Sequence, residues 1–253
     1  MDLGLKAKRA LVTGASKGIG RPCARVLAGE GCDVHLVARG STDLAALAAE
    51  LSASSGRRVS FSALDLSQSA NIERLCTEAG PIDILVNNAG AIPAGTLAEV
   101  DEARWRAAWD LKVFGYINLT RRVYADMRGR GGVIINIIGA GGEKVSPGYI
   151  AGAGGNAALM GITRALGGVS RRDGIRVVGI NPGLIVTERL ETMQRVHAAR
   201  ELGDAERWRE MLDAVYPPGE PEHIADMVAF LASDRSSNTT GTIITIDGGL
   251  CAR

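Results

Sequence analysis

Short β-branched segments alternate along the whole chain with longer segments of helical periodicity, and few folds accommodate this order. The helical segments fall at residues 18–29, 42–51, 70–78, 101–127 and 154–168. The β-branched segments predict strands at residues 10–13, 34–38, 59–63, 84–87, 133–138, 177–180 and 243–246. This alternation favours an α/β fold in which a parallel, doubly wound sheet is flanked by helices on both faces. No internal repeat or linker is evident in the sequence, so we expect a single domain over residues 1–253.

The charge balance argues against several kinds of partner. The chain has 29 Lys+Arg and 28 Asp+Glu, a formal net charge of +1, which gives no electrostatic reason to expect nucleic acid or an anionic membrane surface. No apolar run is long enough to cross a bilayer. Residues 1–6 lack the apolar region of a secretion signal. These features predict a cytoplasmic protein that binds neither nucleic acid nor membrane.

The cysteine and histidine residues do not form a recognisable site. The four cysteines, Cys23, Cys32, Cys76 and Cys251, are far apart and include no CxxC pair. This spacing is typical of reduced thiols in a cytosolic protein rather than of a disulfide framework. The three histidines are scattered, so we expect no metal site.

A glycine-rich turn lies directly between the first predicted strand and its helix, with the sequence Thr13-Gly14-Ala15-Ser16-Lys17-Gly18-Ile19-Gly20. In a dinucleotide-binding turn, Gly14 would allow the sharp bend, Gly18 the approach of a pyrophosphate, and Gly20 the close packing of helix on strand. The helix that follows offers free N–H groups to the phosphates. Because glycines also serve purely steric purposes in loops, this turn alone does not establish a nucleotide site.

The spacing TGxxxGxG resembles the classical short-chain dehydrogenase/reductase family, and further motifs extend the resemblance over nearly the whole chain. They are Asp65 after the third strand, Asn87-Asn88-Ala89-Gly90, Asn181-Pro182-Gly183, residues 221–225, and Gly241 with Asp247-Gly248-Gly249. The resemblance implies an oxidoreductase for a small-molecule substrate with one Rossmann-type domain. It also implies that Asp65 contacts the adenine and that Thr187 binds the nicotinamide carboxamide. The cofactor-binding residues implied in this way are Gly14, Ser16, Lys17, Gly18, Ile19, Gly20, Arg39, Asp65, Leu66, Asn88, Ala89, Gly90, Pro182, Gly183, Ile185 and Thr187.

The residues at the end of the second strand favour NADP(H) over NAD(H). A carboxylate there would bind the ribose 2′-hydroxyl and repel a 2′-phosphate. This chain has Ala38 followed by Arg39, and Lys17 lies in the glycine-rich turn. Two cations with no acid beside them favour the 2′-phosphate of NADP(H). The alternative is that Lys17 and Arg39 are ordinary solvated charges on the surface.

The catalytic positions of the family are all changed in this chain. The resemblance implies an Asn-Ser-Tyr-Lys set, in which the Tyr exchanges the proton and the Lys lowers the pKa of the Tyr. An ungapped alignment anchored on Pro147-Gly148 and on residues 157–166 places Gly152 at the Tyr and Asn156 at the Lys. The Ser then falls on Gly139 and the Asn on Lys112. We therefore carry none of these roles over to the aligned residues.

The changes are consistent with a rebuilt site. Lys and Asn are exchanged between positions 112 and 156, so an ammonium on Lys112 would restore the missing charge. Tyr149 lies about one helical turn before Gly152, and Ser146 offers a hydroxyl in the loop before it. We therefore predict Lys112, Tyr149, Asn156 and Ser146 as the catalytic set, with Glu143 or Lys144 as further acid/base candidates.

Less specific interpretations of the same residues stay open. Tyr149 fits an aromatic wall of the pocket, and Lys112 fits an ion pair with Asp110 or a phosphate. The glycine clusters around Gly139 and Gly152 would also make room for a bulky ligand. A protein that holds NADP(H) without hydride transfer, as a regulatory module or as a non-redox lyase or isomerase, is the alternative to a reductase.

A charged helical segment near the C-terminus matches the substrate lid of the family, at about residues 188–217. Its arginines alternate with acids, which indicates a solvated helix face more than an anion site. The arginines are Arg189, Arg195, Arg200, Arg207 and Arg209. The helices around 105–127 and 154–168 match the pair through which the family dimerises, so the resemblance implies a homotetramer or homodimer.

Overall fold

In the computed structural model, which describes residues 2–252, seven parallel strands form one sheet with the order β3-β2-β1-β4-β5-β6-β7. The strands are β1 Arg9–Thr13, β2 Asp33–Ala38, β3 Val59–Ala63, β4 Ile84–Asn87, β5 Gly132–Ile137, β6 Ile175–Pro182 and β7 Ile243–Ile246. The α-helices are α1 Gly20–Gly29, α2 Ser41–Ser55, α3 Ser69–Ala79, α4 Glu102–Trp109, α5 Gly115–Met127, α6 Ile150–Ser170, α7 Glu188–Leu202 and α8 Pro221–Ala232. The doubly wound α/β fold predicted from the sequence is confirmed.

The two faces of the sheet carry separate apolar cores because successive strand residues point to opposite sides. Val12 belongs to the core beneath α1, α2 and α8, where Leu27 is fully buried. Its neighbour Leu11 belongs to the core beneath α3 and α5, which includes Leu75 and Leu119. Within residues 2–252, no helix is long and apolar enough to span a bilayer.

From β1 the chain adds β2 and β3 on one side of the sheet and then returns to add β4 on the other side of β1, so the strand order reverses at β1. In open α/β sheets, ligands bind in the crevice at such a switch point, beyond the carboxyl ends of the strands. The turns after β1, β4, β5 and β6 meet at this edge. They contain the glycine-rich turn, Asn88-Ala89-Gly90, Gly139 and Gly183.

Three of the predicted helices differ from the structure for identifiable reasons, while a fourth, α2, ends at Ser55 rather than at residue 51. The first begins at Gly20 and not at residue 18, because Gly18 has the left-handed φ of +55°. The predicted helix 101–127 is divided into α4 and α5 by a π-helical turn, Asp110–Phe114. The helix predicted over 154–168 begins earlier, at Ile150, because small residues at its start pack against Trp109 and Tyr149.

A buried chain of polar side chains fixes the helices that carry the predicted catalytic residues. The Asn87 amide donates to Thr120 on α5 and to Asn136 on β5. The Asn136 amide donates in turn to Thr163 on α6, over 2.9 Å. Buried hydrogen bonds of this kind specify one arrangement, because a mispaired polar group in the interior costs free energy.

Candidate active site

The glycine-rich turn has the geometry that its glycines predict. Gly14 has a φ of +64° and Gly18 a φ of +55°, which only glycine adopts freely. A Cβ atom on Gly20 would lie 2.3 Å from the carbonyl oxygen of Gly14. The helix therefore packs on the turn at a distance that excludes any other residue at position 20.

The N-terminus of α1 is open toward the crevice. Its N-cap residue is Ile19, whose apolar side chain cannot accept a hydrogen bond from the helix, and the first turn contains no acid. The first N–H groups of a helix have no intrahelical acceptor and favour an anion. Across the crevice, Asn88 donates from its side chain to the Thr13 carbonyl, over 2.9 Å. The Thr13 hydroxyl accepts from the backbone N–H groups of Asn88 and Ala89, so the turns after β1 and β4 are locked together.

The remaining predicted cofactor residues lie along the same edge. Arg39 is exposed at the end of β2, and Leu66 is buried after Asp65, whose carboxylate accepts from the Ser67 N–H. Lys17 lies 3.8 Å from Glu188 with both side chains largely exposed, an arrangement that contributes little to stability. Ser16 is half-buried within the turn.

The end of β6 and the start of α7 form the opposite wall of the crevice. Pro182 pairs with Ile246 of β7, and a Cβ on Gly183 would lie 2.6 Å from Cβ of Asp247. Ile185 is buried, and Thr187 caps α7 by accepting from the Leu190 N–H. A cavity of about 320 Å³ lies beside Gly18 and Thr187, but most of its lining belongs to α1 and α8, including Arg21, Arg25 and Pro221. The open helix N-terminus and the glycine-rich turns are the features that fit a dinucleotide.

Lys112 lies in the π-helical turn and reaches into the crevice. Turns of this kind are frequent at functional sites, because the extra residue redirects a side chain. The stem of Lys112 lies against Gly90, where a Cβ would be 2.8 Å from Lys112 Cδ. Its ammonium donates to the Ile138 carbonyl, with 2.6 Å between Nζ and the oxygen. It forms no ion pair with Asp110, which was the less specific interpretation of this lysine.

Burial makes the Lys112 ammonium unusually acidic. The residue is 9% exposed. Desolvation, followed by repulsion from the Arg189 guanidinium, lowers the Lys112 pKa from 10.5 to about 7. Desolvation disfavours the charged form of an amine and a nearby cation acts in the same direction. A group with this pKa gives up and regains a proton readily at neutral pH.

Asn156 reaches the same stretch of backbone from α6. Its Nδ2 atom lies 2.9 Å from the position of a Cβ on Gly139, the residue after Ile138. The side chain is 2% exposed, and its Oδ1 has no hydrogen-bond donor among residues 2–252. A buried acceptor of this kind is costly unless it is satisfied. Lys112 and Asn156 thus approach Ile138 and Gly139 from two different helices.

The aromatic ring of Tyr149 fills the space that the glycines leave. A Cβ on Gly152 would lie 2.1 Å from two ring atoms of Tyr149, and a Cβ on Gly141 would lie 3.2 Å from the same ring. Gly142 is crowded by Met160 in the same way. In this structure, protein side chains lie against Gly141, Gly142 and Gly152.

The loop residues predicted as part of the site point elsewhere. The Ser146 hydroxyl accepts from the Gly148 N–H over 3.3 Å, within its own turn, and Ser146 is exposed. Glu143 accepts from the Thr245 hydroxyl, and the Lys144 ammonium donates to the Leu250 carbonyl. These contacts tie the loop to itself and to the C-terminal segment, so the structure does not bring the three residues to Lys112.

Arg189 is the site residue that the sequence analysis did not single out. Its Nη2 atom lies 2.6 Å from the Ile92 carbonyl oxygen and 3.4 Å from Tyr149 Oη. Alternating charges in the lid predicted a solvated face for all five arginines. Only its place two residues after the helix cap Thr187 distinguished Arg189 in the sequence.

Three comparisons with known proteins agree with this geometry. A family model described as enoyl-(acyl carrier protein) reductase matches residues 14–251. The chain is 33% identical to the 3-oxoacyl-[acyl-carrier-protein] reductase FabG of Chlamydia trachomatis, over 96% of this chain and 97% of that protein. It is 35% identical to the 2-keto-3-deoxy-L-fuconate dehydrogenase of Xanthomonas campestris, over 97% of this chain and 80% of that protein.

A solved structure shares the whole fold. L-sorbose reductase from Gluconobacter frateurii, in complex with NADPH and L-sorbose, superposes with a TM-score of 0.92 at 31% identity, covering 100% of both chains. The chain belongs to the short-chain dehydrogenase/reductase family. The relatives named above are oxidoreductases.

Proposed function

We propose that this chain is an NADP(H)-dependent oxidoreductase that interconverts a carbonyl and an alcohol in a small molecule. The family is one of oxidoreductases, and the L-sorbose reductase is described with NADPH bound. Lys17 and Arg39 are both exposed at the crevice, where they would attract a 2′-phosphate, and β2 ends on Ala38, followed by Arg39, rather than on a carboxylate that would repel it.

The nicotinamide supplies the hydride when it is bound, and the chain must supply a proton to the oxygen of the reduced carbonyl. We assign the donation of this proton to Lys112. The observation that carries the proposal is the place of its ammonium, which is buried, lies beside Gly90 at the cofactor edge, and has a pKa of about 7. The carbonyl of Ile138 holds the ammonium in place, so the donor is preorganised before the substrate arrives.

Tyr149 and Asn156 complete the proposed set as positioning groups. The phenol of Tyr149 lies near Arg189 at the mouth of the crevice, where its hydroxyl would donate to a substrate oxygen. The unsatisfied Oδ1 of Asn156 would accept from a substrate hydroxyl or from a water shared with Lys112. Ser146 stays a prediction from the sequence, without a contact that supports it.

The experiment is NADPH oxidation, followed by nicotinamide absorbance, against ketones, diketones, quinones and aryl carbonyls, with NADPH binding followed by fluorescence. The proposal expects oxidation that depends on one class of substrate. It also expects tighter binding of NADPH than of NADH, and weaker preference for NADPH in Arg39→Asp. Firm NADPH binding without oxidation on any class would instead support a protein that holds the cofactor without hydride transfer.

We also propose a single cytoplasmic domain over residues 1–253, with a lid at about 188–217, that assembles as a homodimer or homotetramer. Phe114 is 50% exposed and Val169 on α6 is 51% exposed, and apolar side chains of this size favour a partner surface. Light scattering of the purified chain tests this, because a monomeric mass would contradict it.

A further inference from the structure

We infer that the substrate carries a carboxylate, and that Arg189 binds it. The inference rests on the proposed function and adds the class of substrate, an oxo acid or its hydroxy acid. It starts from a contrast among the five arginines of the lid. Four have partners within the lid: Arg195 pairs with Glu191 and Glu206, Arg200 with Glu201, and Arg207 with Glu210, while Arg209 stacks on Trp208.

Arg189 alone in this group has neither an ion pair with an acid nor a stacked aromatic ring among residues 2–252. It leaves α7 toward the crevice, where its Nη2 atom donates to the Ile92 carbonyl and to the Tyr149 hydroxyl. Its Nε and Nη1 atoms therefore keep their hydrogen-bond donors for another acceptor. Glu188, the residue before it, lies instead near Lys17 in the glycine-rich turn. The two adjacent residues thus lie against different parts of the crevice.

Within the described residues 2–252, the two cations of the site, Lys112 and Arg189, form no ion pair with an acid. The ammonium of Lys112 is buried and donates to the Ile138 carbonyl, and repulsion from Arg189 contributes to lowering its pKa. Like charges held together in a partly buried site cost free energy in the free protein. An anion beside Arg189 relieves that repulsion, and the positive potential attracts anionic substrates to the crevice.

The available donors match a carboxylate better than a phosphate. An arginine binds both oxygens of a carboxylate through a planar fork that pairs Nη2 with Nε or with Nη1. In Arg189 this fork is available when the carboxylate replaces the long, 3.4 Å contact between Nη2 and Tyr149 Oη. The Tyr149 hydroxyl, released from Arg189, would then donate a third bond to the carboxylate. A phosphate near −2 would require a second cation, and Lys112 is held by Ile138 and assigned to the reacting oxygen.

The test compares each of three oxo acids, pyruvate, acetoacetate and levulinate, with its primary amide. Binding is measured by calorimetry to the protein saturated with NADP⁺, which cannot reduce a ketone. We expect at least one acid to bind about 10-fold or more tightly than its amide, the discrimination expected for hydrogen bonds to a charged group. Arg189→Gln should remove this preference and leave amide binding unchanged, and Arg189→Lys should keep part of it.

The matched control is Arg200→Gln, an exposed lid arginine whose nearest carboxylate is 4.0 Å away, and it should keep the full preference. Equal binding of every acid and its amide would overturn the inference. Equal losses for acid and amide in Arg189→Gln would also overturn it, because they indicate a purely structural arginine. Tighter binding of dihydroxyacetone phosphate than of all three acids would overturn it in favour of a phosphate. An acid preference without NADPH oxidation would leave this inference standing and refute the proposed redox function.

Discussion

Replacement of Lys112 by methionine should stabilise the folded protein while it removes the proposed proton donor. The pKa of Lys112 falls from 10.5 in an exposed lysine to about 7 in the fold. At about 1.4 kcal/mol for each pKa unit, burial of this group costs about 5 kcal/mol at pH 7 and below. Methionine has a similar length and no charge, so the substitution removes that cost.

The gain is offset by the hydrogen bond that is lost. The Lys112 ammonium donates to the Ile138 carbonyl over 2.6 Å, and a bond from a charged donor contributes about 1.5–3 kcal/mol. The expected net gain in the free energy of unfolding is therefore about 2–3 kcal/mol at pH 7. For a chain of this length, that corresponds to a Tm higher by about 5–10 °C.

The pH dependence gives the prediction its sign. Between pH 7 and about 10.5, the unfolded chain holds a proton on Lys112 that the folded chain has lost, so wild-type stability rises with pH by up to about 1.4 kcal/mol per unit. The advantage of Lys112→Met should shrink accordingly and vanish near pH 9. The assay is urea unfolding followed by circular dichroism at several pH values, with the exposed Lys8→Met as control. A methionine variant that is less stable than wild type at pH 7, or a difference that does not change with pH, would refute the reasoning.

Three further predictions concern other groups. The rate of ketone reduction should fall above about pH 7 as Lys112 loses its proton, while alcohol oxidation should rise; pH–rate profiles without a limb near 7 would contradict this. Gly152→Ala should displace the Tyr149 ring, because its Cβ would lie 2.1 Å from ring atoms, and should cost about 1–3 kcal/mol in urea unfolding. The control is Gly161→Ala on the same helix, which meets nothing within 4 Å and should not destabilise the protein. Burial lowers the His35 pKa from 6.5 to about 4, so between pH 6.5 and 4 the unfolded chain binds a proton that the folded chain does not, and the free energy of unfolding should fall by up to about 3 kcal/mol as the pH drops from 6.5 to 4. In thermal unfolding, His35→Gln should lack this loss of stability at low pH. The same pH dependence in wild type and variant would refute the prediction.

Much of the fold could be predicted because its signals are local. The predicted strands 59–63, 84–87 and 243–246 coincide with β3, β4 and β7, although only β4 is buried throughout and β3 and β7 are the two edge strands of the sheet. The glycine-rich turn was also readable, because Gly14 and Gly18 adopt left-handed backbone that other residues avoid. The family resemblance rested on such turns, which carry their geometry in their own sequence.

The parts of the site that escaped prediction depend on contacts distant in sequence. The π-helical turn that directs Lys112 has no signal in helical periodicity, and it is fixed where Lys112 meets Gly90 and Ile138. Arg189 lies among arginines of the same apparent pattern, and its contacts with Ile92, 97 positions away, and with Tyr149, 40 positions away, separate it from them. The expectation for Ser146 came from proximity along the chain, whereas its hydroxyl is taken up by the Gly148 N–H of its own turn.

The most direct test of the rebuilt site is a single-turnover measurement of NADPH oxidation by wild type and Lys112→Met, with a ketone that wild type reduces. The NADPH dissociation constant of each protein is measured by fluorescence alongside. If Lys112 donates the proton, the variant should bind NADPH as wild type does and oxidise it about 100-fold or more slowly, the usual contribution of a general acid. Equal rates of oxidation in the two proteins would contradict the account and remove Lys112 from the mechanism.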